Sequence, residues 1–156
     1  PTPKFWDGAA FQALTSGKIL QVVRATDSTD RSTTSTSFVD VTGMSVTITP
    51  QKATSAIIIL AAFFAETNGS TAGNESKFQI TDASNNTISG AEATELRIAG
   101  GATEIQSQLS LLAYATPATT SATTYKLRFA SNVSTTTAQV QNSTTTGQMY
   151  AIEVSA

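Results

Sequence analysis

The chain has no histidine and no cysteine, and only 13 % of its 156 residues are charged. Histidine is the commonest general base near neutral pH, and cysteine is the thiol nucleophile and soft metal ligand; histidine–cysteine zinc sites and thiol chemistry are therefore excluded. Without cysteine there is no disulfide framework, which argues against a small secreted eukaryotic domain. Nine lysines and arginines against eleven acids give a net charge of −2. With no basic stripe to neutralise phosphates, nucleic acid is not an expected partner. The most apolar stretch, Ala56 to Ala65, is ten residues long, against the roughly 20 that cross a bilayer as a helix, so no membrane partner is expected and the protein reads as soluble.

What the chain has in abundance is threonine and serine, 28 and 18 residues. Threonine is β-branched and suits strands, and both residue types serve in turns. The composition describes a structural or binding module and no enzyme. At this length one domain with a single core is expected. Pro1-Thr2-Pro3-Lys4 carries no apolar signal-peptide core, and a start at proline fits a product trimmed of its initiator methionine.

Strand patterns recur along the chain. Met44, Val46 and Ile48 alternate with Ser45, Thr47 and Thr49 before Pro50 ends the run. Phe78 and Ile80, then Tyr125, Leu127 and Phe129, then Tyr150, Ile152 and Val154 alternate with polar neighbours in the same way. Period-two alternation marks a strand with one face on a core and one in water. Further strands are expected at 18–25, 37–41, 105–115 and 138–141, with turn clusters at 67–70, 82–86 and 142–147. Eight or more short strands at this spacing predict an all-β fold, an antiparallel β-sandwich of jelly-roll type, over residues 17–156.

Two segments break the pattern. Ala56–Ala65 is apolar at every position; three isoleucines and two phenylalanines favour a strand over a short buried helix, and an apolar second face needs a cover. A subunit contact through Ile57, Ile59 and Phe63 is the expectation, with cover from within the chain as the alternative. Residues 1–16 read as an arm outside the sandwich. Phe5, Trp6, Phe11 and Leu14 surround Asp7-Gly8, a type I′ hairpin signal, and aromatic anchors on a terminal arm are a common docking device.

Three strings are distinctive: Ser16-Gly17-Lys18-Ile19-Leu20-Gln21-Val22-Val23, the segment Thr36 to Pro50 that reads TSFVDVTGMSVTITP, and the segment Thr119 to Phe129 that reads TTSATTYKLRF. Together they resemble a β-sandwich module of tailed-bacteriophage virion proteins, found at tail-fibre tips and in small capsid decoration proteins. The Trp6-Asp7-Gly8 hairpin resembles linkers that precede such modules. The resemblance covers nearly the whole chain after Thr15 and includes no catalytic residues. It implies a non-enzymatic virion structural protein without cofactor, assembled as a homotrimer. The first expectation is a capsid decoration or cement protein on the outer surface of the capsid, held to the major capsid protein by the arm. Stand-alone length favours this role, since no repeat or heptad pattern is present to build a fibre shaft. The alternative is a short tail-fibre or receptor-binding tip whose loops contact a host surface glycan.

Other chemistry was weighed on the residues. Glu92, Glu95 and Glu104 include the two carboxylates a glycosidase needs, but they flank a glycine-containing loop and read as solvated. Asp27, Asp30 and the 82–86 loop lack the ligand spacing of a calcium loop and read as Asx turns. Asn68, Asn74, Asn85, Asn132 and Asn142 head Asn-x-Ser/Thr sequons, which polar turns in such a composition also explain. Ala99-Gly100-Gly101-Ala102 lacks the lysine of a phosphate loop and reads as a turn.

Overall fold

In the computed structural model, residues 18–155 are described, together with the backbone of 4–6 and 11–13. Every element among them is a strand: β1 (Lys4–Trp6), β2 (Phe11–Ala13), β3 (Ile19–Asp27), β4 (Arg31–Thr33), β5 (Val39–Ile48), β6 (Ala56–Asn68), β7 (Glu75–Asp82), β8 (Thr94–Arg97), β9 (Glu104–Ala115), β10 (Thr123–Ser131), β11 (Thr137–Val140) and β12 (Gly147–Val154). Two antiparallel sheets form the sandwich. One has the order β5-β10-β7-β8, the other β3-β12-β6-β11-β4 with β9 also on β6. The chain crosses repeatedly from one sheet to the other, so the all-β, jelly-roll-like expectation holds.

β6 organises the larger sheet. One edge takes β12 along Ala56–Ala62 and then β11 along Ala65–Asn68, while the other takes β9 along Ile57–Asn68. Its alternate residues Ile57, Ile59, Ala61, Phe63 and Ala65 are 0 % exposed and pack between the sheets. Phe63 meets Phe78 of β7 with ring centroids 5.1 Å apart. Met44, Val46 and Ile48 of β5 and Tyr125, Leu127 and Phe129 of β10 supply the opposing layer. The expected subunit contact through Ile57, Ile59 and Phe63 does not fit this burial. These side chains are core of their own chain, and what β6 leaves outward is Ile58, Leu60, Ala62 and Phe64, all half-buried. The intrachain cover named as the alternative serves the inner face.

Residues 37–41 and 44–48, expected as two strands, form the single strand β5. Gly43 lies at φ +93° within it, and a Cβ there would collide with the Asp27 carboxylate. Only glycine combines that dihedral with that approach. The two short strands β4 and β8 were not foreseen; three and four residues are too few to show a period. The expected arm hairpin is present as backbone pairing of β1 with β2. Trp6 pairs with Phe11, and the Asp7-Gly8 turn expected between them lies outside the described residues. The side chains of Phe5, Trp6, Phe11 and Leu14 lie outside the described residues.

One buried carboxylate fixes an end of the sandwich. Glu153 is 0 % exposed. It accepts from Gln21 Nε2 at 2.6 Å, from the Gln51 backbone N–H at 2.8 and 3.0 Å, and from the Lys52 backbone N–H at 3.2 Å. Burial alone would raise its pKa, but the donors outweigh burial and hold it below the ordinary value.

Two predictions follow from this packing. Phe63→Ala should cost about 3–5 kcal/mol in urea unfolding, while Phe64→Ala, one residue along on the half-buried face, should cost markedly less. Because the Glu153 pKa is lowered on folding, its contribution is present above the unfolded value of about 4.3 and fades as pH falls through the folded value. Glu153→Gln should thus be less stable at pH 7, and its melting temperature should drop less than wild type between pH 5 and roughly pH 2.

Candidate functional site

The two outer faces of the sandwich differ in chemistry. On the smaller sheet, Asp40 accepts from Lys126 Nζ at 2.9 Å and Arg128 Nε at 2.8 Å. Lys126 also reaches Asn85 at 2.8 Å, and Arg128 the Phe38 carbonyl at 2.6 Å. Burial of Asp40 works against ionisation, but the two cations win and lower its pKa. The Thr47 and Thr124 hydroxyls meet across the strands at 2.7 Å. This is an ordinary hydrated face.

The outer face of the larger sheet runs from apolar to polar along β6. Register places Val22, Ile152, Ile58 and Tyr114 in one cross-strand row and Arg24, Tyr150, Leu60 and Leu112 in the next. Leu112 is 60 % exposed, Tyr114 57 % and Val22 55 %. Arg24 borders the patch, its guanidinium 5.9 Å from the Tyr150 ring centroid and its Nε bonded to Gln148. The following row, Thr26, Gln148, Ala62 and Ser110, is already mixed. Seven large apolar or aromatic side chains in two adjacent rows lie on a face where a sandwich normally carries polar residues, and form an exposed apolar patch.

At the other end of this face, Glu66 is 4 % exposed and pairs with no cation among the described residues. Gln106 and Gln139 each donate to it at 2.7 Å, and Gln141 donates as well. Neither Glu66 nor these glutamines was picked out in the sequence. The signal is visible only in register, which sets Gln139, Glu66 and Gln106 side by side from three separate segments.

A groove of about 340 Å³ opens at the end of the sandwich, lined by Asp82, Ser89, Tyr114, Thr119, Thr123 and Tyr125, among others. Asp82 is fixed by the backbone N–H groups of Ser84 (2.8 Å) and Asn86 (2.9 Å) and by Asn86 Nδ2 (2.9 Å). Its burial is outweighed by these donors, and its pKa is lowered. Tyr125 is 1 % exposed, and its hydroxyl has no hydrogen-bond partner among the described residues. Burial, with the Asp82 charge second, pushes its pKa up to about 12, so it stays protonated.

The remaining sequence candidates are dispersed. Glu92 accepts from the Gly90 N–H, Glu95 pairs with Lys77 at 3.7 Å on the smaller sheet, and Glu104 accepts from Gln106 on the larger one. Asp27 accepts from Asn142 Nδ2 and Thr29 N–H, and Asp30 from the backbone and hydroxyl of Ser143, whose bonds lower its pKa. Of the five sequon asparagines, Asn74 and Asn142 are 5 % and 1 % exposed and hydrogen-bonded inside the fold. A glycan has no room at either.

No protein-family model and no curated protein matches the chain. Solved structures do. The VP2 subviral particle of infectious bursal disease virus is 15 % identical, with a TM-score of 0.48, over 99 % of this chain and 37 % of that one. The protein of the infectious bursal disease virus particle is 14 % identical, with a TM-score of 0.46, over 100 % of this chain and 40 % of that one. This chain thus spans about two fifths of the length of those capsid proteins. At such identity the likeness is one of strand layout.

The Glu66 cluster yields a prediction. Glu66→Gln replaces an acceptor facing three amide donors with a group that is itself half donor, leaving at least one buried N–H unpaired. The expected cost is about 1–3 kcal/mol in urea unfolding.

Proposed function

We propose that this protein is a non-enzymatic structural component of a bacteriophage virion, a homotrimeric decoration protein seated on the outer surface of the capsid. The observation that carries the reading is the two-row apolar patch of Val22, Ile152, Ile58, Tyr114, Tyr150, Leu60 and Leu112. It lies on a sandwich whose core is already complete, so the patch serves contacts between subunits and adds little to folding. Beside it, β9 pairs only with β6 among the described strands, and the loop at Ser89 and Gly90 lies along its other edge, where Ser89 accepts from the Tyr114 N–H. An exposed apolar face of this size promotes uncontrolled aggregation unless a partner covers it. Three copies closing around this face supply that cover and satisfy the trimeric expectation of the sequence resemblance.

The arm supplies the second contact. Phe5, Trp6, Phe11 and Leu14 would anchor each copy to the major capsid protein, since a two-stranded hairpin is marginal by itself and gains order by docking. The mechanism is mechanical. A protein that binds only the assembled shell stabilises it by mass action, and each trimer would bridge neighbouring capsid subunits. Residues that could support hydrolysis are engaged separately, as Glu92, Glu95 and Glu104 show.

Two measurements test the reading. Wild type should sediment as a trimer at micromolar concentration, and Leu112→Asp should yield a folded monomer with nearly unchanged melting; a wild-type monomer overturns the trimer. Deletion of residues 1–16 should leave melting and trimerisation intact but abolish binding to capsids that lack this protein. Trp6→Ala alone should weaken binding on the order of thirtyfold. Particle binding that survives the deletion removes the arm from the mechanism.

A further inference from the structure

The outward apolar patch is not flat. At its β9 side lies a hollow of about 300 Å³, lined by Ile58, Ser89, Gly90, Leu112, Ala113 and Tyr114. Its far wall is the loop at Ser89 and Gly90, held against β9 where Ser89 accepts from the Tyr114 N–H at 3.1 Å. Gly90 stands at φ +90°, and a Cβ there would lie 3.1 Å from the Leu112 carbonyl oxygen, so glycine lets the wall stand this close. No charged side chain lines the hollow. Its walls suit an apolar side chain better than water.

The opposite edge of the same face carries the complementary shape. On β3, Ile19 and Val22 are 61 % and 55 % exposed, opposite Val154 and Ile152 of β12. β3 pairs only with β12 among the described strands, so its other edge is free to approach a second copy. β12 and β6 stand between β3 and β9, which sets knob and hollow about 14 Å apart across the sheet. A chain therefore cannot fill its own hollow from its own β3. Of the other large apolar side chains exposed among the described residues, Leu112 and Tyr114 line the hollow and Val133 sits between β10 and β11. Ile19 and Val22 are left as the knobs.

Charge points the same way. Arg24 is exposed on the outward face of β3 beside Val22, and it pairs with no carboxylate among the described residues. Glu92 is exposed at the rim of the hollow, where it accepts from the Gly90 N–H at 3.1 Å, and it pairs with no cation among them. Seating Val22 in a neighbour's hollow brings these opposite charges to the same border, which selects one register of approach. We propose that copies of this chain meet head to tail: Val22 of one copy seats in the hollow of the next, with Ile19 beside it and Arg24 facing the partner subunit's Glu92. The inference rests on the trimeric reading and specifies how the three copies meet. A contact between two different surfaces builds a closed ring, whereas a two-fold pairing stops at a dimer.

The test is cross-linking of the full-length chain, which has no cysteine of its own. Val22→Cys combined with Ser89→Cys should give a covalent trimer on a denaturing, non-reducing gel after mild oxidation. A disulfide needs the two Cα atoms within about 7 Å, so the bond reports this contact and no looser one. Either cysteine alone should give no cross-link. A covalent dimer as the end product, cross-linking by Val22→Cys alone, or a double variant that sediments as a trimer yet stays unlinked would overturn the head-to-tail contact. Wild-type sedimentation keeps the two readings apart: a monomer overturns the trimer and this contact with it, whereas a trimer without the cross-link overturns the contact alone. Charge exchange decides the matter if the cysteine pair misfolds. Arg24→Glu and Glu92→Arg should each raise the concentration of half-dissociation on the order of tenfold, and the two together should recover most of that loss. No loss in the single variants, or no recovery in the double, would overturn the proposal.

Discussion

The fold depends on one strand being apolar on both faces while a strand in a two-layer sandwich has only one face to bury. β6 resolves this by parity. Ile57, Ile59, Ala61, Phe63 and Ala65 pack between the sheets, and with neighbours paired along both edges the strand holds β12, β11 and β9 in register. Strand pairing fixes the other parity as well. Ile58 and Leu60 must then face outward, and register aligns them with Ile152, Tyr150, Tyr114 and Leu112. The core and the outward apolar patch are thus two consequences of one sequence run.

Polar groups complete what apolar packing leaves open. Glu153 and Glu66 are both buried carboxylates satisfied by neutral donors, Glu153 largely by backbone N–H groups and Glu66 by glutamine amides. A buried carboxylate costs several kcal/mol unless its lone pairs are filled, so both sites demand specific partners from distant segments. Asn142 plays a similar part: it donates to Asp27 and sits where any side chain at position 147 would collide, which accounts for Gly147. In a chain with so few charges, amides do much of the work that ion pairs do elsewhere. The Tyr125 hydroxyl and the Asn142 Oδ1 are buried with no hydrogen-bond partner among the described residues.

Much of the fold was legible along the chain. Alternation at Met44–Ile48, Phe78–Ile80, Tyr125–Phe129 and Tyr150–Val154 located β5, β7, β10 and β12, because a strand with one wet face writes a period of two into its own residues. The outward apolar patch was legible only in part. The sequence singled out β6 but named its inward residues Ile57, Ile59 and Phe63, since in a run where every residue is apolar nothing local distinguishes inward from outward. Val22 and Ile152 gave no signal as members of a patch, because residues on β3 and β12 become neighbours only through pairing across more than a hundred positions.

By itself, then, the sequence determined what depends on near neighbours: strand content, turn positions, the all-β class, and the absence of histidine and thiol chemistry. The tertiary structure alone decided which face of β6 is core, which outward residues join into a patch, which carboxylates are buried, and that Tyr125, Asp82 and Tyr114 meet at one groove. The physical reason is that side-chain period is a local property, whereas burial, register and convergence are set by pairing between segments far apart, and a shift of one residue in that pairing would exchange every inward side chain for an outward one.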